Sequence, residues 1–320
     1  MIRLVIHGGA GALPRAEMTP ERAAEFHAAL REALRVGYTV LSERGSALDA
    51  VEATVVRLED CPLFNAGRGS SFTREGTIEM EASIMDGRSR LAGATMLLRR
   101  VKNPVSLARV IMEKTPHVSL GGEAAERFAA DHGLRLEEVS YFFTRFRYDA
   151  MLKLRGTGQI ALSEDLVVPA VKPSDQDAFG TVGAVALDSD GHLAAATSSG
   201  GTTNKHSGRL GQACAIGAGC YADDATCAVS CTGQGEGFIR ASAAFDVAAL
   251  MAYRGLGLEE SASLVLNDHV TAAGGRGGMI ALDRTGAFSL PFNTQGMYRG
   301  WSDASGRLHT GIYDTVDNHP

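Results

Sequence analysis

No run of about 18 apolar residues occurs in the chain, so nothing in it has the length of a membrane-spanning helix and no membrane partner is expected. Aromatic residues are scarce, at 6%, with a single Trp. The cysteines Cys61, Cys214, Cys220, Cys227 and Cys231 form an odd set without a Cys-x-x-Cys pair. This argues against a disulfide framework and for reduced thiols in a cytoplasmic protein. A zinc site from the last four would need other spacings, so small buried core residues are the favoured reading. An excess of positive charge is also missing: 31 Lys and Arg stand against 37 Asp and Glu, a formal charge of −6. A nucleic-acid surface needs clustered cations, so no nucleic-acid partner is expected. With 45% hydrophobic and 21% charged residues, the 320-residue chain has an ordinary globular composition, not that of a disordered, collagen-like or coiled-coil protein. Glycine is abundant, with 38 copies, which implies many tight turns and close backbone approaches.

Local signals sort the chain into elements. Met1–His7 is apolar with one basic residue and breaks at Gly8-Gly9, which reads as a buried strand and not a signal peptide. Thr19-Pro20 places an N-cap before Pro at the first helical position, and Phe26, Leu30, Ala33, Leu34, Gly37 and Leu41 then share a helical face. Ser46 and Asp49 have capping-box spacing ahead of a helix with Leu48, Val51, Val55 and Leu58 on one stripe. Another helix is expected from Asn103-Pro104 to about Lys114, and strands over 77–86 and 91–99. Residues 155–180 carry turn signals throughout and read as an exposed linker. Val182–Leu187 and Leu193–Ser198 then form a hairpin around Asp188–Gly191. Met279–Leu282 and Ala287–Leu290 repeat the device around Asp283–Gly286. Helices are expected over about Glu236–Tyr253 and Leu258–Val270. Strands, then helices, then strands point to helices layered on antiparallel sheets, an α+β fold.

Four places could carry chemistry. At Asp177-Ala178-Phe179-Gly180-Thr181-Val182 the polar linker runs straight into an apolar strand. A plain loop-to-strand transition is the simpler reading. The chemical one is autocatalytic cleavage, in which the Thr181 hydroxyl attacks the Gly180 carbonyl and hydrolysis of the ester frees Thr181 as a new N-terminus. Such a residue holds nucleophile and base together, because an α-amine of pKa about 7.7–8.0 is partly neutral near pH 7. Ser198–Lys205 places hydroxyls and Gly-Gly at a strand end, and Arg209 lies between Gly208 and Leu210-Gly211, where it could grip a carboxylate or simply face solvent. Cys231-Thr232-Gly233-Gln234-Gly235 joins a strand to a helix and suits an oxyanion, though the signal is short. His7-Gly8-Gly9-Ala10-Gly11 lacks the G-x-G-x-x-G spacing, so nucleotide binding is rejected.

Taken in order, the segments Val5–Gly11, Cys61–Gly67, Gly180–Ala186, Thr203–Lys205, Gly217–Gly219, Thr232-Gly233 and Pro291–Thr294 resemble the plant-type L-asparaginases and isoaspartyl peptidases, which are N-terminal-nucleophile hydrolases. The resemblance implies a four-layer αββα sandwich: one hydrolase domain over 1–320, cut between Gly180 and Thr181 into an α chain (1–180) and a β chain (181–320) that assemble as (αβ)₂. It implies cleavage of β-aspartyl amide bonds, in isoaspartyl dipeptides or L-asparagine, with Thr181 as nucleophile. Ser199 would hydrogen-bond it, and Thr232 and Gly233 would hold the oxyanion. Arg209, Gln212, Gly235 and Asn65 would line the substrate site, with Asn65 near the new N-terminus. No catalytic cofactor is implied; a structural sodium ion is, held by Leu58, Glu59, Cys61, Phe64, Ala66 and Arg68, largely through backbone carbonyls. Two positions depart from the family pattern: Ser199 stands in place of Thr, and Gln212 in place of an Asp that pairs with the substrate α-ammonium. Gln212 leaves open a different β-linked amide without a free α-ammonium, or another acid such as Asp223 or Asp224 in the missing role. A self-cleaving but idle binding protein is the reading from another class, and retention of Arg209, Thr232 and Gly233 argues against it.

Overall fold

The computed structural model describes residues 1–12, 14–155, 160–161, 167–168, 180–314 and 316–317. Most of the expected linker, including Asp177–Phe179, lies outside the described residues; within it Ile160–Ala161 pairs antiparallel with Val167–Val168.

Among the described residues nine strands form the larger sheet, in the order Val316–Asp317, Leu308–Gly311, Met297–Ser302, Arg3–Ala10, Val182–Leu187, Leu193–Ser199, Met80–Asp86, Ala92–Leu98 and Ser119–Gly121. Neighbours are antiparallel except the last pair. A four-stranded antiparallel sheet runs Phe288–Ser289, Gly277–Asp283, Cys227–Gly233, Cys220–Ala222. The expected mixture of helices and antiparallel sheets is therefore observed.

Strand alternation explains how these parts stack. Leu4, Ile6, Ala184, Ala186, Ala194, Ala196 and Ile84 face one way and pack on Phe26, Leu30, Leu34, Val51, Val55 and Leu58 from the helices Pro20–Ser42 and Ala47–Glu59. Their neighbours Val5, Val185, Leu187, Leu193 and Ala195 face the other way, onto Ala228, Ile280 and Leu282 of the smaller sheet. The reverse face of that sheet, through Cys227, Val229, Cys231, Met279 and Ala281, packs on Phe238, Val247, Leu266 and Val270. Alanine dominates the central strands because both faces are covered and helix backbones must come close.

Helix starts follow local chemistry. The Thr19 side chain accepts from Arg22 N, and Ser46 with Asp49 forms the expected capping box. Two helical expectations need correction. The helix expected over Glu236–Tyr253 is two, Gly235–Ala241 and Ala243–Arg254, broken at Ser242 in the left-handed region (φ 49°). The restart is supported from outside the helix: Ala244 N and Phe245 N donate to the carbonyls of Ala218 and Gly217, at 3.3 and 2.7 Å. The last expected helix keeps α geometry over Leu258–Leu264 and widens to a π-helix over Val265–Val270. The cysteines expected in the core are there: Cys214, Cys220, Cys227 and Cys231 are buried and Cys61 is half-buried. Among the described residues no helix is long and apolar enough to cross a membrane.

Candidate active site

Thr181 opens the strand Val182–Leu187 and is buried. Antiparallel pairing sets Val182 opposite Ser198. Ser199 therefore ends its strand beside Thr181, and Thr181 Oγ1 donates to Ser199 Oγ at 3.1 Å. Ser199 Oγ also accepts from Gly201 N at 3.0 Å, so the turn after the strand orients it. From a third direction Gln212 Nε2 donates to Thr181 Oγ1 at 3.0 Å. Sequence reading placed Gln212 in the substrate pocket; the structure adds a direct bond to the hydroxyl.

Thr232 reaches the same place from the smaller sheet. It shares a strand face with Ala228, which packs on the larger sheet, and its Oγ1 accepts from Ala10 N at 3.0 Å. That oxygen lies so close to Gly180 that a Cβ there would sit 2.6 Å from it. Gly9 presses from another side. Its φ is +117°, and a Cβ on it would approach Gly180 N to 2.6 Å and Gly180 O to 2.8 Å. The register of the opening strand slips between His7 and Gly9, which makes this approach. The peptide before Thr181 thus passes between backbone and hydroxyl with no room for side chains. Gly9 was not singled out from sequence as a site residue; its signal was a glycine pair closing an apolar strand.

A buried polar chain backs the strand Val182–Leu187. His7 Nε2 is 2.8 Å from Ser230 Oγ, Ser230 Oγ is 2.8 Å from Thr197 Oγ1, and Thr197 Oγ1 donates to Gly219 O at 3.0 Å. Gly183 leaves space for it: a Cβ there would come within 2.5 Å of His7 Nε2. Burial lowers the His7 pKa to about 3, against a backbone hydrogen bond with Thr181 that favours the charged form. The ring is therefore neutral at ordinary pH and acts in positioning. Because protonation is harder in the folded state, the unfolded chain binds the extra proton below about pH 6.5, and stability falls as pH drops from there toward 3. His7→Gln is expected to flatten the dependence of the unfolding midpoint on pH across that window; an unchanged slope would remove His7 as its source.

Arg209 is mostly buried, and its Nε and Nη2 donate to Glu236 Oε1 and Oε2 at 3.0 and 2.9 Å, a bidentate grip on a carboxylate. Gly235 fits tightly between the two pocket side chains. A Cβ on it would lie 2.5 Å from Gln212 Oε1 and 2.8 Å from Arg209 Nη2. Gly233 has φ +145°, and a side chain there would meet the Gly277 Cα at 2.6 Å. Asn65 braces the loop beyond Ser199: its Nδ2 donates to Gly201 O at 2.6 Å and its backbone O accepts from Gly200 N at 3.0 Å. Asp223 and Asp224 do not reach the pocket. Asp224 binds His192 and Leu193 N, beside Ala194, which pairs with Asp86, whereas the site lies at Ser199, which pairs with Glu81. Five residues of strand, about 17 Å, separate the two ends.

Chemically the cluster combines a nucleophilic hydroxyl, a second hydroxyl beside the preceding peptide and a cation suited to carboxylates, the parts of an acyl-transfer site. Residues 1–312 match the asparaginase family, and the chain belongs to that family. It is similar to the isoaspartyl peptidase of Escherichia coli (strain K12), 48% identical over 317 residues, covering 98% of each chain. It is 39% identical to a probable isoaspartyl peptidase/L-asparaginase 2 of Arabidopsis thaliana, covering 97% of this chain and 98% of that one. It is also 39% identical to the isoaspartyl peptidase/L-asparaginase of Bos taurus, over 97% of this chain and 95% of the other.

Proposed function

We propose that this protein is an autoprocessed amidohydrolase that cleaves β-aspartyl amide bonds, in isoaspartyl dipeptides and L-asparagine, through Thr181 as an N-terminal nucleophile. The observation that carries the reading is the setting of Gly180-Thr181: a buried hydroxyl held by Ser199 and Gln212, next to a peptide enclosed by Gly9 and Thr232. In maturation Thr181 Oγ attacks the Gly180 carbonyl, the Gly180–Thr181 C–N bond breaks, and water hydrolyses the ester. In turnover the freed α-amine takes the Oγ proton, and Oγ adds to the side-chain carbonyl of the substrate. The oxyanion is met by the Thr232 hydroxyl and the Gly233 N–H. The C–N bond then breaks, the leaving amine receives the proton from the Thr181 α-ammonium, and water, deprotonated by the regenerated Thr181 α-amine, hydrolyses the ester and releases aspartate.

The finer architecture in this reading is the αββα sandwich. It is supported by the succession of three cores, helix on large sheet, sheet on sheet and small sheet on helix. The chain would be one domain, cut into 1–180 and 181–320 and paired as (αβ)₂ in the cytoplasm.

A structural sodium ion on Leu58–Arg68 fits the loop. Backbone carbonyls crowd there: a Cβ on Gly69 would collide with the Phe64 carbonyl and lie 2.8 Å from that of Pro62. The Cys61 and Ala66 carbonyls accept from Phe64 N and Gly69 N and keep a second lone pair. The Glu59 carboxyl serves elsewhere, since Oε1 accepts from Ser198 Oγ at 2.7 Å and Val105 N at 3.0 Å, and burial pushes its pKa up to about 8. Glu59 would therefore contribute its carbonyl alone, alongside those of Leu58, Cys61, Phe64, Ala66 and Arg68. A hard cation there would hold the loop that carries Asn65.

The test is a panel on matured protein: a β-aspartyl dipeptide, L-asparagine and N-acetyl-L-asparagine. Hydrolysis of the first two and rejection of the third is expected. Exclusive turnover of the acylated compound would instead support an amide whose α position carries no charge, the reading that the neutral Gln212 favours.

A further inference from the structure

The substrate of the proposed reaction carries an α-carboxylate and an α-ammonium on one carbon. Arg209 suits the carboxylate. The side chain at 212 carries no charge, and its amide nitrogen is bound to the nucleophile. Two carboxylates approach Arg209. Glu81 is buried: Oε2 accepts from Gly211 N at 2.8 Å and from Cys214 Sγ at 3.6 Å, while Oε1 has no hydrogen-bond partner among the described residues. A Cβ on Gly211 would lie 2.5 Å from Glu81 Oε1 and 2.6 Å from Arg209 Nη1, so Glu81 balances the rear of the guanidinium. Glu236 differs. Its side chain is 55% exposed while that of Arg209 is 15% exposed, and it covers the front of the guanidinium with both oxygens.

We propose that Glu236 is the substrate-binding residue for the α-ammonium. In the free protein its carboxylate occupies Arg209 in the bidentate geometry that a substrate α-carboxylate needs. When substrate binds, its carboxylate takes over Nε and Nη2 and Glu236 turns to the ammonium one carbon away. Every charge keeps a partner: Arg209 exchanges one carboxylate for another, and the displaced carboxylate gains the cation that arrived with it. Gly235 leaves the space for this, because a Cβ there would crowd Gln212 Oε1 at 2.5 Å and Arg209 Nη2 at 2.8 Å. The exposure of Glu236 supplies the freedom to move, which buried Glu81 lacks.

The inference rests on the β-aspartyl amidase reading, and its experiment separates the two. Inhibition constants for L-aspartate and for succinate, the same diacid without the amino group, are measured on matured protein with a β-aspartyl anilide as reporter. The native protein is expected to bind L-aspartate more tightly than succinate, and Glu236→Gln to lower that preference about tenfold, with Glu236→Asp retaining part of it. An equal change for both ligands would show that Glu236 only holds Arg209, and would overturn the proposal. So would a native protein without preference, a result that needs no variant. Native protein that matures and hydrolyses no β-aspartyl amide would instead overturn the activity reading beneath it.

Discussion

Thr181→Ala is expected to stay a single chain of 320 residues and to have no amidase activity, whereas native protein separates into two bands, the smaller beginning at Thr181. Alanine fits the site without strain, since Thr181 is buried at a strand start and loses only the hydroxyl and a methyl. What disappears is the atom that bonds Ser199 and Gln212 and would form the ester with Gly180. Without that oxygen neither maturation nor acyl transfer has a nucleophile, so both readouts fall together. Thr181→Ser restores a hydroxyl on a smaller side chain and is expected to recover cleavage. Denaturing electrophoresis with N-terminal sequencing of the fragments decides the matter. Cleavage at this bond in the alanine variant would sink the mechanism.

The second large effect is expected at Thr232. Valine keeps the shape and removes the donor, and loss of one oxyanion donor typically lowers turnover by about 10²–10³. The structure adds a refinement. Thr232 Oγ1 also accepts from Ala10 N and stands beside Gly180, so Thr232→Val leaves a backbone N–H without this acceptor and disturbs the wall of the scissile peptide. An orphaned buried donor costs about 1–3 kcal/mol, so a lower unfolding midpoint and slower maturation are expected as well. Kinetics must therefore be taken per matured molecule. The expected result is a large fall in kcat with little change in KM. A near-normal kcat would remove Thr232 from the oxyanion site and leave it a structural link between the two sheets.

The two effects have different reach. In the proposed mechanism Thr181 would supply an atom that forms and breaks bonds. Thr232 would supply a hydrogen bond to charge that exists only in the transition state, so a residual rate is expected from Gly233 and from positioning.

By itself the sequence determined what depends on neighbours within a few residues. Caps at Thr19 and Ser46, the apolar stripes behind them, the hairpin turns at Asp188–Gly191 and Asp283–Gly286 and the Gly180-Thr181 junction are all local, and all of these that lie in the described residues are in place. The residues proposed for the site were legible because their order over the whole chain is distinctive. Their contacts were not. Only the tertiary structure put Arg3–Ala10 between Met297–Ser302 and Val182–Leu187, and so brought Gly9 against Gly180. Strand pairing over nearly 300 residues leaves no local trace, because its free energy lies in a ladder and two buried faces completed from distant segments. The break at Ser242 was hidden for the same reason: its compensation is the pair of carbonyls on Gly217 and Ala218, remote in sequence. In the sequence Glu236 only opens an expected helix. Its place on Arg209 follows from the packing of that helix over the 208–212 loop, where a missing Cβ at Gly235 lets the two charges meet.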